Sequence, residues 1–509
     1  MKLLTAQQIK DWDAYTILLE PISSVELMER AATKCVVEIA TILRRQTFIN
    51  QVVICCGPGN NGGDGMAIAR LLFKQEWSVT VLLFTQGAAT TSDFDINCKR
   101  LPEGIAVIEI TSEDDIPLFS HQQLVVDALF GSGLNRAPDG LYATVIELIN
   151  ESEAYVVAID IPSGLPAEVN DVEEIQNRSI IKANNTFTFQ VPKKSFMHAE
   201  CAAYTGSVTV LDIGLHPDFL PTQPAQDFYI SNEMVTSFFR PRSTFSHKGT
   251  FGHVLMVAGS YGKMGAAILS SKAALRMGCG LLTAYVPKVG YTIMQTALPE
   301  AMVLTDDEVF ELRNFPQTQV FSAVGVGPGI GMNEYTANGL LSFLKQLNQP
   351  VVLDADALNC IALEINKNPT FSFPCKCILT PHPKEFDRLA GHCNTSFERL
   401  QKQRVFAQRH QVVVVLKGAH TSIVMPDGKT YFNSSGNPAL ATAGSGDVLT
   451  GIITSLLAQQ YSCEEAAIIG VYLHGLCADV WKKQGNETMI ASDIVEMLPV
   501  AVFELISNL

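Results

Sequence analysis

Two aspartates sit among glycines where an apolar run gives way to a helical pattern. Asp64 lies in GPGNNGGDG, residues 57–65, directly after QVVICC at 51–56. Asp447 lies in TAGSGDVLTG, residues 442–451, ahead of an apolar helical pattern. Glycine lets backbone come close to a ligand, and the start of a helix favours anions. A carboxylate at such a place can also take up or release a proton.

Two further runs in the first half end on acids. VDALFGSGLNR (126–136) carries Asp127 ahead of a glycine loop, and IDIPSG (159–164) carries Asp160 and Ser163. Ligands of open parallel sheets bind beyond the carboxyl ends of the strands. Asn61, Asp127, Ser163 and Asp160 would then face one crevice. Oxygen donors of low total charge suit a hard cation. Potassium fits one carboxylate with amide and hydroxyl oxygens, leaving Asp160 free for acid–base work. The first turn is not GxGxxG and holds too much Asn and Asp to be only a phosphate cradle. The plainer alternative is a tight strand-to-helix turn.

In the second half, the backbone N–H groups of Gly444 to Gly446 form an expected anion hole. Asp447, on the first helical turn, could take the proton of a hydroxyl that attacks a phosphate. The alternative is an aspartate that only caps the helix and meets its dipole. Upstream, SHKGTFG (246–252), GPGIG (327–331), LDADALN (353–359), TPHPKEF (380–386) and VLKGAHT (415–421) read as strand-end loops. His382 is either a satisfied structural histidine or a ligand contact on a turn stiffened by its flanking prolines. His121, His410 and His474 are assigned no role.

The elements that must hold these residues alternate along the chain. QVVICC, SVTVLLF (78–84), LVVDALF (124–130), YVVAID (155–160), NTFTFQ (185–190) and SVTVLDIG (207–214) are near-continuous apolar runs separated by helical stretches. That is the pattern of a parallel sheet covered on both faces. LHPDFLPTQPAQDFYI (215–230), with three prolines and no clear period, reads as a linker. The rhythm restarts at HVLMVAGS (253–260) and runs through LLTAYV, VFSAVGVG, PVVLDAD, KCILTP and VVVVLKG. A hairpin is expected over 420–433, turning at Asp427-Gly428, and mostly helix after Gly446. The expected fold class is α/β, two tandem three-layer domains.

A chain of 509 residues exceeds one core, and 47% hydrophobic with 17% charged residues is ordinary globular composition. A net charge of −15 disfavours a nucleic-acid surface. No apolar stretch reaches the ~18 residues of a membrane span. The opening MKLLTAQQIKDWDAY turns polar too soon for a signal peptide. A cytoplasmic protein without nucleic-acid or membrane partners is expected. Its twelve cysteines, Cys55, Cys56, Cys279 and Cys477 among them, should be reduced and mostly buried.

GPGNNGGDG, VDALFGSGL, DIPSG and TFTFQVPK…GSVTVLDIGL together resemble the epimerase domain of the NAD(P)H-hydrate repair enzymes, over residues 1–215. The resemblance implies a Rossmann-like domain that interconverts the R and S forms of NAD(P)H hydrated at C6. Asn60, Asn61, Gly62, Gly63 and Asp64, with Gly131, Ser132, Gly133, Leu134, Asn135, Arg136 and Ala137, would hold that nucleotide. Asp160 would lie near the reacting centre, and Asn61, Asp127 and Ser163 would bind potassium. PKKSFMHAE (192–200), at what reads as the rim of the site, departs from a glycine-richer family pattern.

The order of loops in the second half resembles the ribokinase-type fold. TPHPKEF followed by LKG narrows this to the nucleotide-dependent NAD(P)H-hydrate dehydratases, over residues 228–509. Ala266, Gly329, His382 and Asp447 would contact the hydrated nucleotide. Lys417, Gly418, Ala419, His420, Thr421 and Gly446 would contact the adenine nucleotide. The implied reaction moves a phosphoryl group to the C6 hydroxyl, with Asp447 as base and magnesium bridging the nucleotide phosphates. Loss of phosphate then restores the dihydropyridine. Fused family members are typically prokaryotic ADP users, which implies ADP as co-substrate, AMP and phosphate as products, and a homo-oligomer (tetramer or larger). The alternative is a ribokinase-like small-molecule kinase fused to a non-catalytic nucleotide-binding module.

Overall fold

The structure is a computed structural model and describes residues 1–85, 87–134, 136–368 and 371–507. The chain divides into two compact units. One holds residues 2–225 with 395–397; the other holds 226–394 and 398–509 with Met1.

In the first unit seven strands pair in parallel: β1 (Gln51–Cys56), β2 (Val79–Leu83), β3 (Ala106–Glu109), β4 (Gln123–Ala128), β5 (Tyr155–Ile159), β6 (Asn185–Phe189) and β7 (Ser207–Leu211). Their order is β3-β2-β1-β4-β5-β6-β7. Side chains alternate across a strand, so β1 feeds two cores. Val52, Ile54 and Cys56 pack with Ile39 and Leu43 of the helix Ser24–Arg45 and with Ile68 and Leu72 of the helix Asn60–Phe73. Val53 and Cys55 pack with Val145, Ile146 and Ile149 of the helix Leu141–Glu151. Burial on both faces is why the run reads as continuously apolar.

The second unit has ten strands: β8 (Asp227–Tyr229), β9 (His253–Val257), β10 (Leu281–Val286), β11 (Met302–Thr305), β12 (Ala323–Val326), β13 (Val351–Leu353), β14 (Cys377–Leu379), β15 (Val413–Leu416), β16 (Ser422–Val424) and β17 (Thr430–Phe432). They run in the order β11-β10-β9-β12-β13-β14-β15-β16-β17-β8. β15, β16 and β17 pair antiparallel, so the expected hairpin forms, with Gly428 at φ 89°. The remaining pairs are parallel. The helix Ser445–Ala458 packs between β9, β12 and β13 and the helices Met264–Met277 and Cys463–Lys483, and is buried without a break from Val448 to Ala458.

The stretch 215–230 is less of a linker than its prolines suggest. Residues through 225 belong to the first unit and include a helical turn Phe219–Thr222, while β8 joins the second sheet beside β17. Strands β3 and β11, absent from the apolar runs, lie at sheet edges. Both sheets reverse strand order beside their first long strand, between β1 and β4 and between β9 and β12. Ligands of open α/β sheets bind at that switch point. No helix among the described residues is long and apolar enough to cross a membrane.

Candidate active sites

In the first unit β1, β4 and β5 are neighbours, so their carboxyl ends bring the sequence-selected residues together. The turn after β1 is pressed against backbone. A Cβ on Gly57 would stand 1.9 Å from the Leu129 carbonyl oxygen, and one on Gly62 would stand 1.9 Å from that of Gly57. Only glycine fits there. Above the turn opens a cavity of about 620 Å³, lined by Asn60, Asn61, Asp64, Gly131, Ser132, Gly133, Leu134 and Asp160. Gly62 and Gly63 are buried but do not line it. Arg136 is exposed, Ala137 is half-buried, and neither lines it. Asn135 lies outside the described residues.

Asn61, Asp127 and Ser163 meet around the backbone of Phe130. Asn61 Nδ2 donates to the Phe130 carbonyl at 3.0 Å, and Phe130 N–H donates to Ser163 Oγ at 2.9 Å. Ser163 Oγ donates to Asp127 Oδ1 at 2.6 Å, and Ser163 N–H donates to Asp127 Oδ2 at 2.7 Å. Asp127 is fully buried, and no lysine or arginine among the described residues pairs with it. Burial pushes its carboxyl up to about 6, against the hydrogen bonds from Ser163 and Leu129. A buried carboxylate held only by neutral donors fits a monovalent cation.

Asp160 follows β5 with φ at 66°, a left-handed backbone conformation that is costly for a residue with a Cβ. Its Oδ1 accepts from Lys193 Nζ at 2.6 Å and from Phe189 N–H at 3.2 Å. Lys193 is 1% exposed. The segment 192–200 is therefore not merely rim, because its lysine is the ion-pair partner of Asp160. Asp13 and Lys10, from the helix Ala6–Leu19, also line the cavity. Sequence reasoning missed all three. PKK carried a signal as a departure in the motif, but nothing marked the first helix.

In the second unit the loops after β9, β12, β13, β14 and β15 converge at the carboxyl edge. Ser260 Oγ donates to the Gly329 carbonyl at 2.7 Å. A Cβ on Gly329 would stand 3.2 Å from that of Ala266, so these two predicted residues are neighbours. Lys417, at the end of β15, donates to Asp354 Oδ1 at 2.9 Å and lies 4.0 Å from Glu385 Oε2. Burial opposes its charge, but Asp354, Glu385 and Asp447 hold its ammonium above the usual lysine range. A Cβ on Gly446 would stand 3.1 Å from Lys417 Nζ, which joins the adenine-nucleotide candidates to the second glycine turn. Gly418 and Ala419 are exposed beside it. The turn closes as Thr421 Oγ1 donates to the Gly418 carbonyl at 3.0 Å, while His420 Nδ1 lies 3.1 Å from the Asn433 carbonyl.

The cap of the helix Ser445–Ala458 is Gly444, at φ 85°, with no side-chain capping bond. Asp447 is thus not the cap. The Ser445 N–H is turned inward to Thr442 O at 3.4 Å, which removes it from the expected anion hole. Burial pushes the Asp447 carboxyl up to about 7, with Asp354 adding to the rise and Lys417 opposing it. Such a group is half-ionised near neutral pH, where a general base works best. Asp354, 1% exposed, also accepts from Thr450 Oγ1 at 2.7 Å.

His382 is the N-cap of the helix Pro383–Ala390: its Nδ1 accepts from Lys384 N–H at 3.1 Å, and its Nε2 lies 3.2 Å from Glu385 Oε1. It combines a structural role with a side chain that is 44% exposed. Burial, then Lys417 and Arg388, lowers its pKa, which favours the neutral ring. His474, given no role from sequence, is half-buried with Nε2 3.0 Å from the Ser445 carbonyl, and desolvation lowers it to about 4. It is a neutral brace under the glycine turn. Asp354 and Glu385 lay inside motifs read from the sequence. His474 lay inside a helix with no signal.

Each unit carries a glycine turn that opens a helix at the carboxyl edge of a largely parallel sheet, with a partly buried carboxylate beside it. These are the features of a two-site α/β enzyme for phosphate-bearing ligands. Residues 24–195 match the YjeF-related protein N-terminus family, and residues 254–500 match the NAD(P)H-hydrate dehydratase family. The chain is 36% identical to the Bifunctional NAD(P)H-hydrate repair enzyme Nnr of Moorella thermoacetica, over 99% of this chain and 97% of the relative. It is 34% identical to the protein of the same name from Escherichia coli, over 88% and 84%. An ADP/ATP-dependent NAD(P)H-hydrate dehydratase from Bacillus subtilis, co-crystallized with ATP/Mg2+, is 32% identical with a TM-score of 0.48, covering 55% of this chain and 98% of that one. The chain belongs to the family of bifunctional NAD(P)H-hydrate repair enzymes.

Proposed function

We propose that the chain repairs hydrated NADH and NADPH, epimerising the R and S forms at C6 in the first unit and dehydrating the S form in the second. The observation that carries the dehydratase assignment is Asp447, which is freed from capping and raised to about 7 beside Lys417. Hydroxide is a poor leaving group, so the C6 hydroxyl must be activated. Asp447 takes its proton as it attacks the terminal phosphoryl group of ADP and displaces AMP. Phosphate then leaves from C6 as C5 gives up a proton to solvent and the C5=C6 bond forms, giving NAD(P)H, AMP and phosphate. The N–H groups at the start of the helix and the Lys417 ammonium offset the charge that develops on the phosphoryl oxygens. His382 and the Gly329–Ala266 contact position the hydrated ring. Lys417 to Thr421 and Gly446 seat the adenine nucleotide.

In the first unit Asn60 to Asp64 and Gly131 to Ala137 hold the hydrated nucleotide, and Asp160 handles the proton. Asn61, Asp127 and Ser163 would hold potassium, which supplies fixed positive charge behind the glycine loop. Magnesium would neutralise nucleotide phosphates in the second unit. The preference for ADP over ATP and assembly into a homo-oligomer belong to this reading. Residues 1–225 and 226–509 made separately test it. The first should epimerise only, and the second should dehydrate the S form only with added nucleotide. A second fragment that instead releases a stable phosphorylated product would make it a kinase.

A further inference from the structure

We infer that Asp13 is a second catalytic residue of the epimerase site, the acid that works opposite Asp160. This rests on the epimerase reading above. The helix Ala6–Leu19 forms one wall of the cavity through Ile9, Lys10, Asp13, Ala14 and Ile17, and Asp160 lines the same space. Lys193 engages only Oδ1 of Asp160, which leaves Oδ2 for the cavity. Asp64, 9% exposed and without a side-chain partner among the described residues, also faces the cavity, so the site is built to receive polar ligand atoms.

The charged and titratable groups around Asp13 are Lys10 on its own helix, Asp64 from the helix Asn60–Phe73, Asp160 after β5 and Lys193. Burial first, and then Asp160, raises Asp13 to about 7, with Lys193 opposing. Asp64 is pushed well above the carboxylate range by burial, Asp160, Asp13 and Asp93. Asp160 has the Lys193 ammonium at 2.6 Å, while Asp13 has no ion pair among the described residues, so the two carboxyl groups stand in unlike environments. Unlike environments assign one carboxyl as acid and the other as base.

The chemistry needs both. The hydrate is a carbinolamine, with its hydroxyl on the carbon bonded to ring nitrogen N1. Asp13 gives its proton to that hydroxyl, the C6–O bond breaks, the N1 lone pair forms C6=N1⁺, and water leaves. Water then adds to the opposite face as Asp160 takes one of its protons, the C6–O bond forms and N1 regains its lone pair. Asp13 ends as carboxylate and Asp160 as acid, the state that serves the reverse conversion. Proton return through solvent closes the cycle without an oxidant or reductant.

The test is Asp13→Asn in the full chain, with Asp13→Glu beside it, assayed for epimerisation from pure R hydrate across pH. Loss of general-acid catalysis should cut kcat about 10²- to 10⁴-fold with little change in KM. The wild-type rate should fall above about pH 7, where Asp13 ionises, and Asp13→Asn should lack that limb. Asp13→Glu should recover part of the rate, while dehydration by the same chain stays at wild-type level. A near-normal rate in Asp13→Asn, or a loss in KM with an unmoved pH profile, overturns the role of Asp13 alone. If Asp13→Asn misfolds, Asp13→Glu decides by whether it keeps the limb above pH 7. A wild-type chain that leaves R hydrate unconverted sinks the epimerase reading itself, and this inference with it.

Discussion

Lys417 Nζ donates to Asp354 Oδ1 over 2.9 Å at the edge where β13 and β15 end. That pairing neutralises the most buried carboxylate of the cluster and leaves Asp447 as the acid whose charge is unsettled. Asp447→Asn should keep the loop and its hydrogen bonds, since no capping bond is lost. Dehydration should fall about 10²- to 10⁴-fold while ADP binding, read by calorimetry, survives. Lost ADP binding would make Asp447 a nucleotide or metal contact instead.

The same residue sets a pH dependence of stability. Its carboxyl is raised from 3.8 to about 7, so the folded chain holds this proton more tightly than the unfolded one. The stabilisation is complete below about pH 4 and is lost as pH rises through about 7. Asp447→Asn should therefore gain melting temperature over wild type at about pH 8 and gain least near pH 5. Equal differences at both would contradict the part-buried, shifted carboxylate.

Asp127 is the fully buried carboxylate of the oxygen set. Potassium should raise the melting temperature of the first unit at neutral pH more than sodium does, because a ligand of the folded state stabilises it by mass action. Asp127→Asn should abolish that difference and slow epimerisation without affecting dehydration. A potassium effect that persists in Asp127→Asn places the ion elsewhere.

Lys193 is 1% exposed and paired with Asp160. Lys193→Met keeps its bulk but leaves a buried carboxylate alone, a change that typically costs ~3–5 kcal/mol. Urea unfolding of the first unit should register that loss, and epimerisation should fall with it. An unchanged midpoint would mean that the pair is not formed in solution.

The sheet centres were legible because strands buried on both faces read as unbroken apolar runs. Strand β3 was not, since Ala106, Val107, Ile108 and Glu109 are all exposed at an edge. β8 and β11 failed for a similar reason, being short or only partly buried. The glycine turns marked both sites, because close backbone approach demands glycine in the sequence itself. Asp13 and His474 reach those sites through tertiary packing from distant segments, and spacing along the chain carries no trace of that, whereas Lys193 was marked only as a departure within a motif.

The most direct test starts from a mixture of R and S hydrates, purified protein and ADP, with the dihydronicotinamide absorbance followed to its end point. Wild type should restore nearly all of it, Asp160→Asn should restore quickly only the S fraction, and Asp447→Asn should restore almost none on the same timescale. Full recovery at wild-type speed in Asp160→Asn, or absorbance that never returns with wild-type protein and either ADP or ATP, would contradict a chain that couples epimerisation to dehydration.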